Sequence, residues 1–153
     1  MNEFILDQLD FVRTATLSAV EGLSDTEANA VPEGFSNNIL WNLGHIYFVQ
    51  ERIFHFAKEP LNIPEGFAQF FGSGTKPADW VGQPPAFSEV VGLLKAQPQR
   101  IRESLQKRLN EQVAEPFKIR TLEMKTLAEV LTFMLYHEGN HAQNIKTIKR
   151  LSK

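Results

Sequence analysis

The run Thr126-Leu127-Ala128-Glu129-Val130-Leu131-Thr132-Phe133-Met134-Leu135-Tyr136-His137-Glu138-Gly139-Asn140-His141 decides how this chain is read. Thr126 and Glu129 form a capping box, the signature of a helix start. Val130, Phe133, Met134, His137, His141, Asn144 and Ile148 then recur on one face at helical spacing. A helix from Thr126 to about Leu151 is expected, with that face buried. Two of its positions are histidines four apart. On a helix they stand one turn above the other, about 40° apart around the axis, where two imidazoles can share one metal ion.

A third imidazole comes from a second helical segment, expected from Ser36 or Asn37, either a good N-cap, to about Lys58 before Pro60. There Asn38, Trp41, His45, Phe48, Val49 and Arg52 fall within about 60° of His45. The remaining histidine, His55, points about 80° away from His45 and reads as a surface or interface position. Buried imidazoles need polar partners. A divalent ion would satisfy His45, His137 and His141 together and would keep an open coordination position for a water or a substrate.

The rest of the chain supplies two more helices. One runs from about Asn2 to Glu21, with Ile5, Leu9, Val12, Ala15 and Ala19 as its buried stripe and Phe11 at the edge. Gly22 stops it, and Ser24-Asp25-Thr26-Glu27 is a capping box for a short extra turn. Another runs from about Phe87 or Ser88 to Asn110 on Val90, Val91, Leu94, Ile101, Leu105 and Leu109, with a kink or break expected at Pro98. With no convincing strand pattern, the expected fold is all-α: one domain over residues 1–153, built as a four-helix bundle. The 28 residues from 59 to 86 are long enough for a crossover between helices two and three, which would then run parallel. Their Phe67, Phe70, Phe71 and Trp80 argue against disorder and fit a satellite hydrophobic cluster better than a lid. Residues 111–125 form a second connector, locally extended at Pro116-Phe117-Lys118-Ile119-Arg120.

Composition excludes several chemistries. There is no cysteine, so disulfides, thiolate metal ligands and cysteine nucleophiles are out. A net charge of −2 generates no field to gather nucleic acid or an anionic membrane. The cluster Lys146, Lys149, Arg150 and Lys153 reads as cations at a helix C-terminus. No apolar run is long enough to span a bilayer and Met1-Asn2-Glu3-Phe4 has no signal-peptide character, so a cytoplasmic protein is expected.

The string His137-Glu138-Gly139-Asn140-His141 also fits the H-E-x-x-H pattern of zinc proteases. Such enzymes take a third ligand downstream, and after His141 no His, Asp or Glu follows. Proteolysis is therefore not the expectation. Glu138 has two readings: a base taking a proton from bound water, or a carboxylate accepting an imidazole N–H.

The paired motifs Asn38-Ile39-Leu40-Trp41-Asn42-Leu43-Gly44-His45-Ile46 and His137-x-x-x-His141 resemble those of the DinB-like metal-binding four-helix bundles, over nearly the whole chain. The resemblance implies a homodimer whose three histidines bind a divalent metal, commonly zinc or nickel. Relatives include transferases and isomerases that use bacillithiol, mycothiol or glutathione-like thiols. Carried over, it implies His45, His137 and His141 as ligands and a low-molecular-weight thiol as co-substrate, with a small-molecule electrophile as the second substrate. Many relatives have an Arg directly after the second His of the pair; this chain has Ala142.

Overall fold

A computed structural model describes residues 3–153. It is mostly helical. Four long helices dominate: α1 (Glu3–Val20), α3 (Ile39–Phe56), α5 (Phe87–Leu105) and α6 (Leu127–Leu151). Short helices α2 (Asp25–Asn29) and α4 (Phe67–Phe71) and a 3₁₀ turn (Pro77–Asp79) lie in the connections. Both expected capping boxes are present, Ser24 with Glu27 and Thr126 with Glu129. The N-cap of α3 is Asn38, one or two residues beyond the expected position. Helix α5 continues through Pro98, which is buried inside it.

The second connector departs from the all-α expectation. Strands β1 (Gln112–Ile119) and β2 (Leu122–Thr126) form an antiparallel hairpin, with Ile119 paired to Leu122 and a register irregularity between Gln112 and Phe117. Its two-residue turn is Arg120-Thr121, and Arg120 adopts a left-handed backbone, φ 53°. Hairpin turns of this length ordinarily announce themselves with Asn-Gly or Asp-Gly. Here that signal is missing, and Pro116 further masks the strand.

The long helices pack in a ring, α3 against α5 and α6, and α1 against α5 and α6. Two apolar clusters fill the interior. One contains Leu6, Leu9, Ile53, Phe54, Ile101, Leu105, Leu131 and Met134; the other contains Val20, Leu43, Tyr47, Phe67, Phe71, Val90, Leu94, Ile145 and Ile148. Followed from N- to C-terminus, α1 and α6 pass from the first cluster to the second, and α3 and α5 pass the other way.

Between the clusters lies a buried polar layer. Arg13, only 2% exposed, donates from Nε and Nη2 to both oxygens of Glu138 at 2.8 and 3.1 Å. It also donates to the Leu94 carbonyl at 2.7 Å and to the side-chain oxygens of Gln50 and Gln97. Thr16 donates to Glu138 at 2.9 Å. Gln97 extends the network to Glu51, which forms a second ion pair with Arg100. This layer overturns the expected face of α1. Its buried positions are Leu6, Leu9, Arg13, Thr16 and Val20, while Ala15 is exposed and Ile5, Val12 and Ala19 are half-buried. A helix turned to aim Arg13 inward cannot also bury Val12 and Ala15, since neighbouring positions lie about 100° or more apart.

The connector 59–86 is part of the interior. Phe67 and Phe71 are fully buried in the same cluster as α3, with Phe70 and Trp80 half-buried against it, so these rings are no satellite. Gly44 makes this contact possible: a Cβ there would collide with the Phe71 ring. Side chains tie the rest of the connector down. Trp41 Nε1 donates to Thr75, Trp80 Nε1 to the Phe70 carbonyl, and the Tyr47 hydroxyl to the Asn62 carbonyl. With this cover, every residue of α3 from Ile39 to Tyr47 is buried.

Two stability changes follow. Gly44→Ala should destabilise the protein by about 1–3 kcal/mol, the usual cost of overpacking a well-filled core, less the fraction of a kcal/mol that Ala gains in helix propensity; the urea midpoint reads it. Arg13→Met should cost about 3–5 kcal/mol because it strands a buried carboxylate, and adding Glu138→Met should recover much of that loss. A double variant no more stable than Arg13→Met would show that the two charges do not act as a pair.

Candidate metal centre

His45 points off the fully buried half of α3, while His137 and His141 lie one turn apart on α6. The expected face of α6 is displaced by one position. Its most buried line is Leu131, Met134, Glu138, Ala142 and Ile145, which leaves His137 and His141 half-buried at the rim and Asn144 exposed. The three histidines nevertheless converge. Their rings lie 5.1 Å (His45 to His137), 4.9 Å (His45 to His141) and 4.5 Å (His137 to His141) apart, centroid to centroid. One nitrogen from each lies within 4.8 Å of the other two, a group that could hold a divalent metal ion.

Two of the rings are held by acceptors that fix the tautomer. His45 Nδ1 lies 2.7 Å from the Phe71 carbonyl, and His141 Nδ1 lies 2.8 Å from Asn42 Oδ1. Both partners only accept, so each Nδ1 carries the hydrogen and each Nε2 keeps its lone pair for a metal. Asn42 is itself oriented, its Nδ2 donating to the Asn38 carbonyl and to Asn37 Oδ1. The indole of Trp41 stacks on His45 at 4.6 Å with 12° between the planes. These supports are what a metal-binding histidine requires beyond its own ligand atom. Asn42 escaped the sequence reading, although an Asn three residues before His45 on a fully buried segment is a polar group that must find a partner.

The electrostatics favour the metal-binding form. Burial pushes the His137 imidazolium down to about 3, with further lowering from the His141 and His45 charges. Burial, then His45, brings His141 to about 4. His45 is lowered by burial against the opposing bond to Phe71. All three rings are therefore neutral at neutral pH and free to ligate.

Glu138 is buried at 1% exposure, and both oxygens are occupied by Arg13 and Thr16. The Nδ1 hydrogens of His45 and His141 go to Phe71 and Asn42, and Glu138 accepts from Arg13 and Thr16 rather than from an imidazole. It is a core charge adjacent in sequence to a site residue. His55 is exposed, as expected. A cavity of about 810 Å³ between α1 and the start of α5, lined by Leu17, Phe87 and Val91, contains none of the three histidines.

The profile of a family described as the DinB superfamily matches residues 8–145, and the chain belongs to that family. No curated protein matches the chain.

The histidines set a pH dependence for the metal-free protein. In the unfolded chain they titrate near 6.5, and in the folded chain His137 and His141 titrate near 3 and 4. Between these limits the unfolded state binds the extra protons, so stability is fully present above about pH 6.5 and falls as pH drops towards 4. Urea midpoints at pH 7 and pH 5 should differ more for the wild type than for His137→Gln. Equal differences would mean that His137 does not titrate as a buried group.

Proposed function

We propose that this member of the DinB superfamily is a metal-dependent enzyme that transfers a low-molecular-weight thiol to a small electrophile. His45, His137 and His141 are the ligands in this reading, and zinc or nickel is the ion. The observation that carries it is the convergence of three neutral imidazoles, two with Nδ1 hydrogens already committed to acceptors. Three protein ligands leave a coordination position open, the arrangement of catalytic sites. The half-buried setting of His137 and His141 gives a small molecule a way in.

A divalent ion among neutral ligands keeps its full charge and lowers the pKa of a thiol or water beside it, which supplies a nucleophile at neutral pH. The residues do the rest. Phe71 and Asn42 hold the rings in place, and Trp41 shields one face of His45 from water. The chain contains no cysteine, so the nucleophilic sulfur belongs to the co-substrate. Glu138, committed to Arg13 and Thr16, acts by holding α6 and not by moving a proton.

The same reading takes residues 1–153 as one cytoplasmic domain, a four-helix bundle in which α3 and α5 are the parallel pair and residues 59–86 the crossover. It takes the protein as a homodimer. Phe4 and Phe11, 68% and 75% exposed, stand seven positions apart on one side of α1 and offer apolar surface to a second copy.

Elemental analysis of untagged protein tests the core of the proposal. Wild type should carry about one divalent ion per chain, the stoichiometry of a three-histidine site, and His137→Ala should lose it. Titrating nickel into metal-free protein should quench the Trp41 fluorescence, given the stacking on His45. No bound ion after dialysis against zinc or nickel would overturn the proposal. An ion with no thiol reactivity towards electrophiles would instead favour a non-catalytic metal-binding stress-response module or a metal-dependent hydrolase.

A further inference from the structure

Arg52 stands seven residues after His45 on α3. It therefore shares the His45 side of the helix, roughly 10 Å further along the axis. Four arginines are committed to ion pairs: Arg13 to Glu138, Arg100 to Glu51, Arg102 to Asp7 and Asp10, and Arg108 to Glu59 and Glu111. Arg52 is exposed, and its contacts are with aromatic faces. Its Cζ lies 5.4 Å from the centre of the Phe117 ring and 5.9 Å from that of Phe56. Such stacking leaves the edge of the guanidinium, with its forked N–H donors, free for a carboxylate.

The rings beneath Arg52 lead back to the histidines. Phe117 lies 6.1 Å from Phe133, and Phe133 lies 6.4 Å from His137, centroid to centroid. Phe117, Phe133 and Phe56 are half-buried, so they present partial faces to solvent. The result is an apolar strip with the histidine group at one end and an uncommitted cation at the other. A ligand complementary to it has a metal-seeking sulfur, a short apolar body and an anionic end.

We infer that Arg52 is a substrate-positioning residue that binds a carboxylate of the small thiol, while Phe117 and Phe133 pack its apolar body between Arg52 and the histidines. This deepens the thiol-transfer reading and rests on it. The selectivity is for acidic thiols over neutral ones of equal length.

The test compares 6-mercaptohexanoate with its neutral amide, by calorimetry, on zinc-loaded wild type, Arg52→Gln and Arg52→Lys, with metal-free wild type in parallel. Wild type should bind the acid about tenfold more tightly than the amide, the size of one charge-assisted hydrogen-bonded pair. That preference should shrink with added salt, vanish in Arg52→Gln, and persist in part in Arg52→Lys. Amide affinity should change much less than acid affinity in Arg52→Gln, because a neutral carbonyl accepts only an ordinary hydrogen bond from the guanidinium and the metal end of the site is intact. An acid preference that survives in Arg52→Gln, or is missing in wild type, overturns the inference. If the amide still binds only the zinc-loaded protein, the thiol-at-metal reading stands without it. If neither thiol binds either form, both fall together.

Discussion

The buried pair between Arg13 and Glu138 constrains everything around it. A guanidinium and a carboxylate removed from water are costly unless every donor and acceptor finds a partner. The partners here come from all four long helices: Thr16 beside Arg13 on α1, Gln50 on α3, Gln97 and the Leu94 carbonyl on α5, and Glu138 on α6. Apolar contacts tolerate sliding and rotation, whereas this network does not. It divides the interior into two apolar clusters and sets how each helix is turned and how far it is advanced.

The histidine group inherits its geometry from that layer. Glu138 follows His137 in sequence, and adjacent residues on a helix differ by about 100°. Holding Glu138 inward against Arg13 therefore swings His137 off the axis of the core, and His141, one turn on, goes the same way. Both end at the rim, half-buried and facing α3, where His45 meets them. A face centred on the histidines would have sealed them in. The same displacement explains why Ala142, not His141, lies on the buried line.

Residues 59–86 perform two tasks through one contact. Phe71 packs on α3 at Gly44, and its carbonyl accepts from His45 Nδ1. Packing in the core and orientation of an imidazole thus depend on the same short helix. This accounts for the length of the connector, which covers an α3 whose first half is buried on every side, where a helix packed only on its neighbours would keep a solvent-facing side.

Local patterns made much of this legible in the chain itself. Capping boxes at Ser24 and Thr126, the long helical periodicity after Thr126, and the spacing of His137 and His141 rest on interactions between residues a few positions apart, which a sequence displays directly. What depended on distant partners was not visible. The hairpin of β1 and β2 lacked its usual turn residues. The inward face of α1 was chosen by Arg13, whose partner lies 125 positions away. The role of Glu138 could not be read from its place between two histidines, because only packing decides whether a carboxylate points at an imidazole or into the core. The sequence by itself determined which side chains could ligate a metal and on which helices they stand. Tertiary structure alone decided that the three imidazoles meet, which nitrogen His45 and His141 present, and that a buried charge pair holds them there, since each of these rests on contacts between segments far apart in the chain.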